Sequence, residues 1–137
     1  TKVRSPNLGE EAKRRIIIGT FARMAGFRDA YYIKATKVRT LIINEYKKLF
    51  KKFDVLISPT VPMLPLKFKE IEKLSLLQNY MIDILTVGPN LAGLPHMNVP
   101  IGFEKSLPVG MMLIGGHLDE GKLIQVGSSM KKRGSGN

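Results

Sequence analysis

The chain contains 137 residues, with 22 Lys and Arg against 11 Asp and Glu, which gives a formal net charge of +11. This length is typical of one domain, and 44% hydrophobic residues are enough to build a core. With no Cys and two His, the sequence excludes a disulfide framework and a thiolate metal site and argues against any metal centre. It lacks the apolar run of roughly 18 residues that a membrane span needs and the apolar core of a signal peptide, so we expect a cytoplasmic protein without a membrane partner.

The positive charge is concentrated near the N-terminus. Residues 1–52 hold 14 Lys and Arg against 4 Asp and Glu, a net charge of +10, whereas residues 53–137 hold 8 against 7, a net charge of +1. Such a basic region could attract nucleic-acid phosphates. A solvated surface is the alternative, and we favour it because no aromatic residues are interleaved with the basic run and no RNA-binding module accompanies it.

Two helices are predicted first along the chain. The first runs from Glu10 to about Ala25, with Asn7 as its N-cap, and Gly26 ends it. The second runs over residues 29–52 and is amphipathic, because its apolar residues recur at i, i+3 and i+4. Tyr31, Tyr32 and Tyr46 on this helix are expected to pack it against a sheet, with their hydroxyls reaching solvent.

The middle and the end of the chain alternate between regular and irregular structure. Residues 53–58 predict a buried strand, and the prolines that follow predict an irregular loop to about residue 74. A short helix is predicted over residues 75–85. Near the C-terminus a helix over residues 119–132 is expected, capped by Asp119, and residues 134–137 are expected to form a flexible tail.

The segment from Leu85 to Gly115 combines many glycines and prolines with two short apolar runs. These runs, residues 97–101 and 109–114, are bounded by breakers and therefore predict two strands that follow a helix and a tight turn. The glycines are expected to supply either positive φ or close backbone approach. They are Gly88, Gly93, Gly102, Gly110, Gly115 and Gly116. On spacing alone the segment predicts a β-hairpin with glycine-rich turns.

Several blocks of the sequence resemble one known family. NLAGLPHMNVPIG (residues 90–102) and LPVGMMLIG (residues 107–115) resemble the C-terminal motifs of the amidase signature family. GEEAKRRIIIGTF (9–21), DAYYIKATKVRTLI (29–42) and DVLISPTVP (54–62) resemble one branch of it, the A subunits of glutamyl-tRNA(Gln) amidotransferases. The blocks stand in the family's order and cover nearly the whole chain.

The resemblance implies an α/β fold. Long helices and separated short strands themselves indicate layers of helices on a sheet. The resemblance adds that the chain is the C-terminal portion of the amidase-signature fold, a mixed β-sheet covered by helices. It implies that residues 1–133 are a C-terminal fragment of an amidase domain.

The family's reaction centre is a lysine and two serines that lie N-terminal of every block found here. The resemblance therefore implies that this chain contains no catalytic residue. Ser128 and Ser129 fall on the predicted last helix and are expected to be solvated. Ser58 has no base beside it in sequence and is expected to shape a turn.

Two residues match positions that bind glutamine in the amidotransferase branch. Arg15 stands immediately before the I-x-x-G-T block and would bind the carboxylate of glutamine. Asp83 stands shortly before NLAGLP and would bind the amino group. A surface role is the alternative for Arg15. For Asp83, between Ile82 and Ile84, we expect burial, and the alternatives are a structural cap or an internal salt bridge.

The function implied by the resemblance is hydrolysis of glutamine to supply ammonia for transamidation of Glu-tRNA(Gln). The partners implied are glutamine, the B and C subunits of the amidotransferase, and tRNA through the complex. No cofactor is expected in this chain, since ATP and Mg are used by the partner subunit. Two alternatives stay open: a general amidase acting on small amides, and a non-catalytic module that contacts tRNA or assembles subunits. The chain alone is expected to be inactive.

Overall fold

The computed structural model describes residues 4–134, with side-chain surroundings for residues 6–130. The chain forms two compact units, one ending at Leu41 and the other beginning at Ile42. The boundary falls within a helix. The helices are α1 (Arg4–Asn7), α2 (Glu10–Arg23), a π-helical segment (Arg28–Ile33), α3 (Lys34–Leu49), α4 (Phe68–Ile71), α5 (Leu76–Ile82), α6 (Ile84–Ala92) and α7 (Glu120–Gly134). The strands are β1 (Val55–Pro59), β2 (His96–Glu104) and β3 (Leu107–Gly115).

The first unit is built from α2, the π-helical segment and the first part of α3. The N-cap of α2 is Gly9, whose backbone is extended, so the prediction of Asn7 as the cap was wrong and Asn7 instead lies in α1. Glu10 and Glu11 in the first turn favour the positive end of the helix dipole. Helix α2 ends at Arg23, slightly before Gly26, which was predicted to end it and which adopts a φ of 85° in the turn that follows.

Aromatic rings join α2 to the π-helical segment within this unit. The ring of Phe21 lies 4.3 Å from that of Phe27, and Tyr31 lies 6.1 Å from Phe27, measured between centroids. The separation of Phe27 and Tyr31 is within the range of favourable aromatic pairs, and Phe21 and Phe27 are slightly closer than that range. None of the residues of α2 or the π-helical segment is buried. Tyr31 and Tyr32 are 56% and 45% exposed, and their packing against a sheet stays a prediction.

The second unit contains a three-stranded antiparallel sheet in the order β1-β3-β2. The strands predicted over residues 53–58, 97–101 and 109–114 are confirmed, and the two hairpin strands extend further than predicted. The burial expected for the first strand was wrong, because no residue of β1 is buried and Ile57 is 67% exposed. Pro59 is the last residue of β1, an edge strand, where proline is tolerated. The α/β class is thereby confirmed.

The hairpin turn uses different residues from those predicted. Lys105 and Ser106 have φ values of 51° and 64°, and positive φ at both central positions is what a two-residue type I′ turn requires. Of the six glycines in the 85–115 segment and just beyond it, only Gly93 has positive φ, at 69°. Most of the others allow close approach of a neighbouring side chain, which is the second role expected of them.

The helix predicted over residues 75–85 is in fact two helices. Ser75 caps α5 in a capping box with Gln78, because each side chain bonds the other's backbone N–H. The chain breaks at Asp83 and continues as α6, which includes Pro89 and ends at Gly93 in the left-handed conformation. The short α4 also lies within the stretch predicted to be irregular.

The last helix, α7, begins one residue after Asp119 and includes Gly134, so the predicted tail begins within a helix and its residues 135–137 lie outside the described part of the chain. The Lys122 ammonium lies 3.1 Å from a carboxylate oxygen of Asp119 and 3.4 Å from one of Asp54. The hydrogen bond to Asp119 raises the pKa of Lys122 above 10.5. These contacts connect the start of α7 to the residue before β1.

The core lies on both faces of β3. On one face Met112 and Ile114 pack with Ala92 and Leu94, and partly buried residues of α3 and β1 cover them. On the other face Leu113, which is fully buried, packs with two residues from β2 and α7. Since successive strand residues point to opposite faces, one short run of β3 supplies both clusters. Each such side chain contributes about 1.5–3 kcal/mol by its burial.

Candidate functional site

Asp83 occupies the junction between α5 and α6. Its backbone has φ −90° and ψ 1°, in the bridge region of the Ramachandran plot, where many active-site residues are found. Its carbonyl accepts hydrogen bonds from the backbone N–H and the hydroxyl of Thr86, at 3.0 and 2.9 Å. These two bonds fix the backbone of Asp83 at the start of α6.

The side chain of Asp83 does not have the environment predicted for it. The residue is exposed, because the helix breaks at this point and its carboxylate no longer shares the apolar face of Ile82. The carboxylate also makes no capping bond to α6. The expectation of burial was therefore wrong, and so was the alternative of a structural cap. An exposed carboxylate is chemically suited to accept hydrogen bonds from an ammonium group.

Helix α6 is held in place by an unusual contact with α3. The hydroxyl of Tyr46 lies so close to Gly88 that a Cβ atom added there would be 2.8 Å from the oxygen. Only glycine permits this approach without a shift. The ring of Tyr46 packs on the core cluster that includes Ala92, which confirms its predicted packing against the sheet layer, and burial raises the pKa of its hydroxyl above 10.0. The hydroxyl was expected to reach solvent, whereas it lies against α6.

The C-terminal end of α6 is tied to the strands that follow. The N–H of Leu94 donates to the carbonyl of Pro89 at 3.0 Å, and Gly93 provides the left-handed residue that ends the helix. The carbonyl of Ala92 accepts a 3.0 Å bond from the Nε2 atom of His117, which must therefore carry the hydrogen. Contacts with residues distant in sequence therefore lie at the middle of α6, through Tyr46, and at its C-terminal end, through His117.

Arg15 lies on the exposed surface of α2. Its Nε atom donates to Glu11 Oε1 at 2.9 Å, and its side chain is 62% exposed. The other oxygen of Glu11 accepts from Arg14 at 2.8 Å, so one carboxylate orients two neighbouring guanidinium groups. A guanidinium in such a position is chemically able to bind a carboxylate.

Arg15 and Asp83 belong to different compact units, since the first unit ends at Leu41. Each is described by the contacts within its own unit. Their joint binding of one ligand stays a prediction.

The serines considered from the sequence make local backbone contacts. The hydroxyl of Ser58 donates to the carbonyl of Pro59 at 3.0 Å, and Ser58 lies next to the last residue of β1, beside the bend that begins at Thr60. The hydroxyl of Ser129 donates to the carbonyl of Val126 at 2.7 Å along α7.

A polar link across the sheet was missed by the sequence analysis. The hydroxyl of Thr60, just beyond β1, donates to the side-chain oxygen of Asn98 on β2. The bond passes over β3 at Gly110, where a Cβ atom would overlap the side chain of Asn98. An asparagine between Met97 and Val99 in an apolar run is the signal that could have indicated it.

Among the described residues, no group of three or more His, Cys, Asp or Glu side chains is placed to hold a metal ion. Within that same part of the chain, no helix has the length and apolar character needed to cross a membrane.

Comparison with known proteins identifies relatives of nearly the whole chain. A sequence model of the amidase family matches residues 1–124. Over 133 residues, 97% of this chain, the sequence is 47% identical to the A subunit of glutamyl-tRNA(Gln) amidotransferase from Archaeoglobus fulgidus, of which it covers 29%. The chain therefore spans less than a third of the length of this relative.

Solved structures agree with the sequence comparison. The crystal structure of the glutamyl-tRNA(Gln) amidotransferase A subunit from Thermotoga maritima matches with a TM-score of 0.75 and 39% identity, over 99% of this chain and 30% of that one. A crystal structure of an amidase matches 96% of this chain with a TM-score of 0.74 at 20% identity, which supports the fold alone.

Proposed function

The chain belongs to the amidase family, and from this premise we propose that it is the C-terminal part of a glutamyl-tRNA(Gln) amidotransferase A subunit. The similarity to A-subunit sequences over almost the whole chain is the observation that carries the proposal. In such a protein, a serine of the N-terminal part would attack the side-chain amide of glutamine. Ammonia would leave as the acyl-serine forms, and water would then hydrolyse the acyl-serine to glutamate. The ammonia would serve transamidation of Glu-tRNA(Gln).

The role proposed for this chain is to bind glutamine. Asp83 would accept hydrogen bonds from the amino group, and Arg15 would bind the carboxylate. The exposure of the Asp83 carboxylate and its freedom from capping support this assignment, because a buried or capping carboxylate would be occupied within the protein. Binding both ends of the ligand would distinguish glutamine from a simple amide.

The other parts of the reaction are proposed to come from outside this chain. The lysine and two serines would be supplied by the N-terminal part of the fold, so the 137-residue chain alone would be inactive. The B and C subunits would complete a cytoplasmic complex, and the partner subunit would use ATP and Mg to activate Glu-tRNA(Gln). The tRNA would be bound through the complex.

The proposal is tested in a chimera in which this chain replaces the matching 30% of the Thermotoga maritima protein. Glutaminase activity is measured after assembly with that organism's partner subunits. Asp83→Asn and Arg15→Ala should each raise the KM for glutamine by about tenfold or more, since a charge-assisted bond contributes about 1.5–3 kcal/mol.

Matched controls separate binding from general damage. Arg14→Ala removes the other guanidinium that pairs with Glu11, and Asp54→Asn removes an exposed carboxylate of the second unit. Both should leave the KM for glutamine nearly unchanged. If Asp83→Asn and Arg15→Ala behave like these controls, the glutamine assignment is wrong, and a general amidase becomes the better interpretation.

A further inference from the structure

The β2–β3 hairpin is covered at one end and bare at the other. From Met112 to Gly115 every residue of β3 is buried, whereas Leu107 and Pro108 are exposed. On β2, Val99 is buried and residues 100–104 are exposed. We call residues 100–109 the hairpin arm. Its side chains include Phe103, which is 76% exposed.

An open groove lies where the arm meets β1. It has a volume of about 410 Å³, and its lining is almost entirely apolar. The lining residues are Ile57, Ser58, Pro59, Ile101, Val109, Gly110 and Met111. Ile57 and Ile101 are 67% and 55% exposed, so water covers side chains that favour burial. Together with the arm they form an apolar patch of the kind that marks an interaction surface.

The strand edge beside the groove is also unpaired. The ladder between β1 and β3 ends at the pair Pro59 and Met111. Residues 107–110 therefore face no strand on the β1 side within the described part of the chain. Unpaired backbone groups next to an apolar groove are characteristic of a sheet that continues into another part of a protein.

We propose that the groove and the hairpin arm dock the remaining part of an amidase fold. The Thermotoga maritima protein matches 99% of this chain with only 30% of its own length, so most of that fold lies outside the matched segment. An interface with the rest of a fold is more apolar than a transient one, because it resembles a domain core cut in half. The patch has that character.

Two other occupants are considered. A small ligand needs polar groups to orient it, but the hydroxyl of Ser58 in the groove donates to the carbonyl of Pro59. A second copy of the chain is not disfavoured by charge, because residues 53–137 carry a net charge of only +1, and sedimentation tests for it below. The inference depends on family membership and not on the proposed chemistry with glutamine.

The test compares one substitution in two proteins, the 137-residue chain and the full-length chimera described above. Ile101→Asp places a charge in the groove. In the 137-residue chain the side chain is exposed, so the substitution should change the thermal midpoint little. In the chimera the charge would be buried, and the decrease of the thermal midpoint should be larger by about 3 °C or more. If Ile101→Asp prevents the chimera from folding, Ile101→Thr, which keeps the β-branch, replaces it. The decrease of the thermal midpoint should again be larger in the chimera than in the 137-residue chain, by a smaller amount.

Ile124→Asp is the matched control, since Ile124 lies on α7 and is 60% exposed. Ile124→Asp should shift the thermal midpoint of both proteins equally. Equal shifts for Ile101→Asp in the two proteins would overturn the proposal. So would sedimentation that shows the 137-residue chain dimerising through the groove, with dimers lost in Ile101→Asp. Glutaminase activity is not a readout here, so this test can fail while the proposed function stands.

Discussion

The two compact units differ in how their helices are stabilised. In the first unit, which ends at Leu41, no residue whose side chain is described is buried, and three consecutive isoleucines of α2 are each more than half exposed. In the second unit, clusters on both faces of β3 bury residues from distant parts of the sequence. Isolated helices of this length are marginal in water, so α2 depends on its contacts with the π-helical segment, which bury none of its residues. The comparison indicates that the stability of the free chain comes from the second unit.

The largest effect is expected from a substitution at the centre of the sheet. Leu113→Ala should lower the free energy of unfolding by about 2–5 kcal/mol, because Leu113 is fully buried and its truncation leaves a cavity. Denaturant titration of the 137-residue chain measures this. Ile17→Ala on α2, where the side chain is 67% exposed, is the comparison and should change stability by less than about 0.5 kcal/mol. Equal costs would contradict the difference between the units.

The next effect concerns the contact between α3 and α6. Gly88→Ala should cost about 1–3 kcal/mol, since the new methyl group meets the Tyr46 hydroxyl at 2.8 Å. In a Tyr46→Phe background the cost should fall below about 1 kcal/mol, because the ring carbons lie 3.6 Å away, an ordinary contact. A double-mutant cycle by denaturation tests this. If the losses in the free energy of unfolding are additive, the Tyr46 hydroxyl does not set the distance between α3 and α6.

The pH dependence of the free energy of unfolding gives a second test of the same contact. Burial raises the pKa of Tyr46 above 10.0 in the folded state. The stability contributed by its protonated hydroxyl is therefore fully present below pH 10.0 and is lost as the pH rises through the folded pKa. Unfolding free energies measured from about pH 8 to about pH 11 should fall with a different slope in Tyr46→Phe, because the linked proton of Tyr46 is absent there. Identical slopes would mean that this hydroxyl is not buried.

The smallest effect is expected in the first unit. Glu11→Gln removes the carboxylate that pairs with both Arg14 and Arg15, yet these partners are exposed. The helical content of α2, followed by circular dichroism at low salt, should decrease slightly, by the equivalent of about 0.3–0.5 kcal/mol per pair. The decrease should vanish in high salt. A loss that persists in high salt would point to a role other than charge pairing.

Local signals in the sequence were enough for several elements. The start of α2 at Glu10 and the three strands follow from apolar spacing and from breakers close by in sequence. Helix α6 was missed because glycine and proline at positions 88 and 89 locally predict irregular structure. In the fold, Pro89 is buried in the core and Gly88 accommodates Tyr46, which belongs to a helix far away in sequence.

The candidate site was less accessible to sequence reasoning. The burial expected for Asp83 assumed that one helix continues past it, and the break between α5 and α6 removes that assumption. The roles of Arg15 and Asp83 come from the family resemblance and not from periodicity, since neither residue is marked by its spacing. The exposed arginine and aspartate are compatible with those roles, and only the proposed kinetic measurement tests them.

The turn at Lys105 and Ser106 has a consequence for the order of folding. It joins Glu104 to Leu107, so β2 and β3 pair with little loss of chain entropy, whereas Val55 of β1 pairs with the distant Gly115. We expect the hairpin to form before β1 joins the sheet, as short-range pairing generally precedes long-range pairing. Folding rates and stabilities of Val99→Ala and Leu56→Ala measure this. The fraction of the lost stability that appears as slower folding should be larger for Val99→Ala than for Leu56→Ala.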